Sequence, residues 1–259
     1  PSVGLSHCRE FQVFNTLIPP LIEQEQVPAS PPHVLPLFDH TINVVDHMHL
    51  LLQLLVQESE PSKTESWCHD QALFALRQYA SDIKVYFDQE ITFGRSKYAL
   101  TLLGALLHDI GKPLTIKEGL DGRLHYYNHA KVGADLTWDI AKRLRLSNAE
   151  SDWLRTMVRH HMRLIPLVNS DEPPTRRSIY QFFNKTGEVG VPIALLSLAD
   201  TIATYGHNLH PTKWDNAVRV TKMMLTAWWD DQDTIITPSL LLDGHDLHGA
   251  RRDGARLTL

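Results

Sequence analysis

The stretch VPIALLSLADTIATYG, residues 191–206, limits what this chain can fold into more than any other feature. Apolar residues cover most of its helical circumference, so a helix formed there belongs at the centre of an assembly, covered by other elements. Asp200 sits inside it, beside Leu198, Ala199, Ile202 and Ala203. Burying an unpaired carboxylate costs several kcal/mol, so Asp200 is expected to have a cation beside it or to be neutral. A buried Arg or Lys would serve, and so would a metal ion.

Most of the remaining chain carries a helical signature. Behind Pro36, LFDHTINVVDHMHLLLQLLVQE repeats apolar residues at three and four positions, as do SKYALTLLGALLHD, NHAKVGADLTWDIAKRL and the stretch 147–161. Ser147 and Glu150 have capping-box spacing, and Pro192 and Pro211 are placed to open two further helices. Long β-type alternation is absent. Prolines and small polar residues at 28–36, 59–63, 165–174 and 206–211 mark loops between helices rather than domain linkers. The expectation is an all-α protein folded as one helical domain over 1–259.

Composition narrows the function classes. The 25 Lys and Arg against 30 Asp and Glu leave a formal net charge of -5, which gives no overall footprint for nucleic acid, so any RNA contact is local. Cys8 and Cys68 have no paired spacing, which argues against a disulfide framework or a zinc ribbon and suits a reducing, cytoplasmic setting. No apolar run approaches the length of a membrane span, and residues 1–12 lack the basic start and apolar stretch of a signal peptide. The first residue is Pro1, as in a piece of a longer polypeptide.

Chemistry concentrates at ALLHDIGK, residues 105–112, where an apolar run ends in His108 and Asp109. Adjacent helical side chains point about 100° apart. The two share a partner only near the helix end, where Gly111 lets the backbone turn. A metal ion is such a partner; the alternative is a His108 that caps the helix and an Asp109 in water. His40 is a third such position, opening a helix whose inward candidates are Val44, Leu51 and Leu55. His40, His108, Asp109 and Asp200 form an imidazole and carboxylate set suited to Mn, Fe, Co, Ni, Zn or Mg more than to a thiolate-seeking ion.

These residues in this order, with ALLHDIGK, resemble the HD superfamily of metal-dependent phosphohydrolases, all-helical proteins in which an isolated His, the His-Asp doublet and a distant Asp ligate one metal. Similarity is closer to the HD region of bacterial tRNA nucleotidyltransferases and poly(A) polymerases, where PPHVLPLFDHTINVV, HDIGKP, NHAKVGADL, VRHH, RRSIYQFF, LLSLADTIAT and LLLDGHDL occur in similar order. The resemblance implies an HD-domain-like helical bundle with its core over 35–206, an N-terminal arm over 1–34 and a C-terminal helical extension over 207–259. It implies one or two divalent ions per chain. His129 and either His160 or His161 match the places of a second metal or of substrate contact, His161 fitting the family spacing better, with Asp109 bridging both ions. The ordinary alternative for His129 is a surface residue behind a capping Asn128. The nucleotidyltransferase head, a Gly-Ser loop followed by an Asp-x-Asp pair, is absent from the sequence, so the chain as given is not expected to add nucleotides.

Of the 15 histidines several must be incidental. His33, His47, His49, His69, His125, His207, His245 and His248 fall in that group, although His47 shares a helix face with His40. Lys112 is a candidate catalytic residue that reaches the substrate phosphate; otherwise it is a solvated helix-end lysine. Arg176 and Arg177 are weaker phosphate candidates, with a solvent-exposed pair at a helix start as the alternative. The expected function is hydrolysis of a nucleotide or RNA-end phosphoester, such as a 2′,3′-cyclic phosphate, by a metal-activated water at Asp109. The rival is a non-catalytic helical module, related to tRNA processing, that seats RNA or a partner chain around a structural metal. Hydrolysis of free nucleoside polyphosphates is weaker, because no Gly-rich phosphate loop is present.

Overall fold

The computed structural model describes residues 1–56, 66–120 and 122–237. The LLLDGHDL motif, His245, His248, the punctuation at 59–63 and the end of the C-terminal extension lie outside the described residues. In chain order the helices are α1 (Ser2–Glu10), α2 (Val13–Leu17), α3 (Pro19–Glu23), α4 (Leu37–Val56), α5 (Trp67–Leu76), α6 (Ala80–Asp88) and α7 (Lys97–Leu107). They continue with α8 (Lys112–Thr115), α9 (His129–Arg143), α10 (Asn148–His160), α11 (Ile165–Val168), α12 (Arg176–Thr186), α13 (Gly190–Tyr205) and α14 (Pro211–Trp229). The architecture is an all-α bundle with two small hairpins.

The apolar helix α13 occupies the centre, as its composition requires. It packs against α4 and α14; α4 also meets α7, and α7 and α9 pack on α10. Its Val191, Ile193, Leu195 and Leu198 are fully buried, each worth about 1.5–3 kcal/mol relative to exposure. By length and composition the stretch 176–208 is apolar enough to cross a membrane, with mean hydropathy 1.4, contrary to the expectation that no such run exists. Of its most apolar window 78% is buried inside the protein, so the apolarity serves the core.

Helix starts follow local chemistry. Ser147 Oγ accepts from Glu150 N at 3.3 Å and Ser147 N donates to Glu150 Oε2 at 2.7 Å, the reciprocal capping box that the spacing predicts. Pro211 opens α14 as its first residue, whereas Pro192 is the third residue of α13, which runs on from a 3-10 turn at Gly187–Val189. Residues 165–168, expected as loop, form the single turn α11.

Two antiparallel hairpins interrupt the helices: β1 (Glu90–Thr92) with β2 (Arg95–Ser96), and β3 (Ile116–Glu118) with β4 (Leu124–Tyr126). Strands of two or three residues are too short to show period-two alternation in sequence. The second hairpin fills the interval between the HDIGK turn and α9.

Candidate metal centre

Five elements deliver the site. His40 lies in the first turn of α4, His108 and Asp109 follow the end of α7, His129 starts α9, His161 follows α10, and Asp200 projects from α13. His40, His108 and Asp109 are buried, with 0%, 0% and 2% exposure, so the structure excludes the solvated Asp109 that sequence left open.

Gly111 explains part of the convergence, though not as expected. Its φ of -87° and ψ of -8° are open to any residue, so it is not needed to turn the chain. It is needed for proximity. A Cβ there would stand 2.3 Å from His129 O and 2.5 Å from Gly133 N, so only glycine lets the 109–112 turn lie against the backbone of α9. Asn128 then enters with φ +63°, a left-handed conformation that Asn tolerates. It makes no side-chain cap; His129 turns inward and is 7% exposed.

The tautomers follow from what each ring faces. His108, His129 and His161 each place Nδ1 2.7 Å from a backbone carbonyl three residues earlier, those of Ala105, Tyr126 and Val158. A carbonyl only accepts, so Nδ1 carries the hydrogen and the Nε2 lone pair faces the interior. The His129 and His161 Nε2 atoms are 3.3 Å apart, and each is 3.5 Å from Asp109 Oδ1. On the other side His108 Nε2 is 3.1 Å and His40 Nε2 3.7 Å from Asp109 Oδ2. Asp200 Oδ1 completes that group, 3.2 Å from His40 Nε2 and 4.0 Å from His108 Nε2.

Two donor sets therefore meet at one carboxylate. His40, His108 and Asp200 form one, Asp109, His129 and His161 the other, the ligand atoms of each lying within 4.8 Å of one another. His40 Nε2, His108 Nε2 and Asp109 Oδ1 are buried without a hydrogen-bond partner. Buried donor atoms left bare at a point of convergence are costly unless a cation joins them, and this mixed nitrogen and oxygen set fits a divalent transition ion.

Lys112 supplies positive charge beside Asp109. Lys112 is 6% exposed and its Nζ lies 2.6 Å from Asp109 Oδ2, so it is not the solvated lysine of the alternative. Burial pushes the Asp109 carboxyl up, but His108 and Lys112 outweigh it and hold the group well below the usual range. Burial likewise pushes His108 down, yet Asp109 raises it more, so it ends above its ordinary value. Burial leaves His129 pushed down to about 4.

Some expected residues stay away from the centre. His160 is turned outward, its Nδ1 accepting from Arg163 Nε at 2.9 Å, because consecutive helical side chains diverge and α10 tightens into a 3-10 turn at His161. Arg176 and Arg177 are exposed at the start of α12 and do not line the cavity beside the centre. His47 pairs with His69 at 3.3 Å, and His49 with Tyr98 at 2.6 Å.

One histidine set aside as incidental belongs to the site. His33 stands edge-on to His40 with ring centroids 4.6 Å apart, and its Nε2 accepts from Lys112 Nζ at 3.3 Å. Burial, then Lys112, pushes it down to about 4, which keeps that lone pair available. The available signal was the proline bracket, Pro31, Pro32 and Pro36, which fixes the chain beside His40. A cavity of about 310 Å³, lined in part by His33, Asp109, Lys112 and Asp200, opens onto the centre.

Comparison with known proteins finds relatives for part of the chain. The chain is 36% identical over 102 residues to the A-adding tRNA nucleotidyltransferase of Deinococcus radiodurans, covering 39% of this chain and 22% of that protein. It is 31% identical over 105 residues to the CC-adding tRNA nucleotidyltransferase of Thermus thermophilus, covering 40% and 23%. It is 30% identical over 175 residues to a bifunctional uridylyltransferase/uridylyl-removing enzyme of Mycobacterium tuberculosis, covering 61% and 19%. The chain thus spans less than a quarter of the length of each of these relatives. The HD domain family model matches residues 71–203, more than half of the chain, taking in His108, Asp109, His129, His161 and Asp200 while His40 precedes it. With that match and an all-α bundle built around the His-Asp doublet, the chain belongs to the HD domain family.

Proposed function

We propose that the chain is a metal-dependent phosphohydrolase of the phosphodiesterase type, acting on a nucleotide or RNA-end phosphoester. The observation that carries this reading is Asp109, whose two oxygens face different donor sets. His40, His108, Asp109 and Asp200 would hold one divalent ion, and Asp109, His129 and His161 a second. Such ions, when bound, supply a water acidified toward neutrality and polarise a phosphoryl oxygen.

The chain's own residues do the rest. His33 and Asp109 hold the Lys112 ammonium in the cavity wall, where it would add positive charge for a phosphoester bound beside Asp109. The three Nδ1–H bonds to backbone carbonyls fix the rings that face the ions and raise their basicity. The cavity, at about 310 Å³, falls in the size range of small-molecule sites. The names of the relatives, tRNA nucleotidyltransferases and a uridylyl-removing enzyme, support a nucleotide or RNA-end substrate. Two unpaired cysteines suit a reducing cytoplasm.

Metal analysis followed by a phosphoester panel tests the reading. With Mn, Co or Ni supplied, the protein should retain about two ions per chain and hydrolyse 2′,3′-cyclic nucleotides or a generic phosphodiester. His161→Ala should lower the count by about one ion while the ion at His40, His108 and Asp200 stays. Absence of turnover by the metal-replete protein across mono-, di- and cyclic phosphoesters, together with measurable RNA or partner binding, would replace the enzyme with the non-catalytic module.

A further inference from the structure

The cavity that opens onto Asp109 and Asp200 is also lined by Tyr205 and Lys213. Lys213 is the third residue of α14, at the positive end of the helix dipole, where a cation is unfavourable. Its Nζ donates to Asn169 Oδ1 at 2.6 Å and lies 4.9 Å from the Tyr205 ring centroid. Both partners are neutral. Among the described residues no carboxylate pairs with it, and Asp215, two positions on, accepts instead from Gln71 Nε2 at 2.6 Å. The hydroxyls of the wall are engaged within the chain, Ser197 donating to Ala194 O, Thr201 to Ser197 O and Thr204 to Asp200 Oδ1, while Lys112, the other lysine of the wall, sits on Asp109.

A cation clamped by an amide and a ring, at the wrong end of its helix and without an ion-pair partner, places an uncompensated positive charge in the cavity wall, apart from the carboxylates Asp109 and Asp200 and their own cation Lys112. We propose that Lys213, held by Asn169 and Tyr205, is an anion subsite that takes a second phosphate of the substrate. The preferred substrate is then a nucleotide carrying a phosphate in addition to the ester that is cleaved. Lysine binds phosphate as a point charge, and Met162, Ile165 and Val168 in the same wall offer apolar surface to a base. The assignment rests on the phosphohydrolase reading for the phosphoester at the metal centre; it adds Lys213 as a specificity-determining residue.

The test compares adenosine 2′,3′-cyclic phosphate with its 5′-phosphorylated form. The Mn-loaded wild type should favour the 5′-phosphorylated compound in kcat/KM. Lys213→Ala should cut that preference about tenfold, through KM rather than kcat, and Lys213→Arg should retain most of it. An unchanged preference in Lys213→Ala would overturn the subsite. Calorimetric binding of adenosine 3′,5′-bisphosphate and adenosine 3′-monophosphate to the same Mn-loaded proteins separates this idea from the parent reading. If the wild type hydrolyses neither cyclic compound nor any member of the phosphoester panel, the phosphohydrolase reading fails. The subsite then stands if Lys213→Ala weakens bisphosphate binding about tenfold more than monophosphate binding, and falls if both change alike.

Discussion

Two groups of buried charge in this protein are built to opposite rules. At the Arg95 and Glu150 corner both carboxylate oxygens have partners: Glu150 is fully buried, yet Arg95 Nη2 donates to its Oε2 at 3.1 Å, Arg95 Nε to its Oε1, and Ser147 N to its Oε2 at 2.7 Å. At Asp109 the opposite holds, with Asp109 Oδ1, His40 Nε2 and His108 Nε2 bare in the interior. A satisfied buried charge fixes a fold, whereas a converging set of unsatisfied ones reserves space for something the chain does not itself supply. Counting partners, more than counting charges, separates the stabilising corner from the candidate metal centre.

The contrast breaks most visibly at Asp109. Asp109→Asn keeps the shape but removes the charge shared by both donor sets, so metal content and phosphoester hydrolysis should fall to background while the circular dichroism spectrum is retained. Metal content at the wild-type level in this variant, read by elemental analysis, would overturn the two-sided role of the carboxylate.

Glu150→Gln should do the reverse, lowering stability by about 2 kcal/mol and leaving metal content alone. Burial pushes the Glu150 carboxyl up, but Arg95 and Ser147 outweigh it and hold it below its ordinary value. A depressed carboxylate contributes stability that is complete above its unfolded pKa of about 4.3 and is lost as pH falls through the folded value. Denaturation midpoints of wild type and variant should therefore differ at pH 7 and draw together in acid. A gap independent of pH would show that Glu150 acts through packing and not through its charge.

The smallest effect is expected at His47, which lies on the same helix as His40 but belongs to the satisfied class through His69. Burial, then His69, pushes His47 down to about 4. A histidine kept neutral in the fold gives its full contribution above its unfolded pKa of about 6.5 and loses it progressively from there down to about 4. His47→Gln should flatten that acid-side loss by on the order of 1 kcal/mol without changing metal content. If metal content drops, His47 sits in the wrong class.

What sequence made legible was whatever a single segment decides. The central helix followed from its apolar circumference, the start of α10 from Ser147 and Glu150, and the candidates His40, His108, Asp109 and Asp200 from polar residues where an apolar neighbour was due. What it hid depended on partners far along the chain. The choice between His160 and His161 turned on a change from α to 3-10 winding, and the contact of His33 with Lys112 joins residues 79 positions apart. Glu150 announced its capping role, but nothing local announced Arg95, 55 positions away. Gly111 looked like a hinge and is a point of backbone contact, a distinction that only the neighbouring helix reveals.

That contact also shapes how the protein can change. The segment 113–127 leaves the fold beside Gly111 and returns at Asn128, next to the same point, so the ends of the second hairpin are clasped together. Its outer residues Leu114, Leu120 and Tyr127 are exposed. Its base is not inert, because Tyr126 at the end of β4 offers the carbonyl that holds His129 Nδ1 at 2.7 Å. The hairpin's outer end, beyond the pairing of Glu118 with Leu124, is thus the part that can vary in evolution, while its base stays tied to the ring of His129.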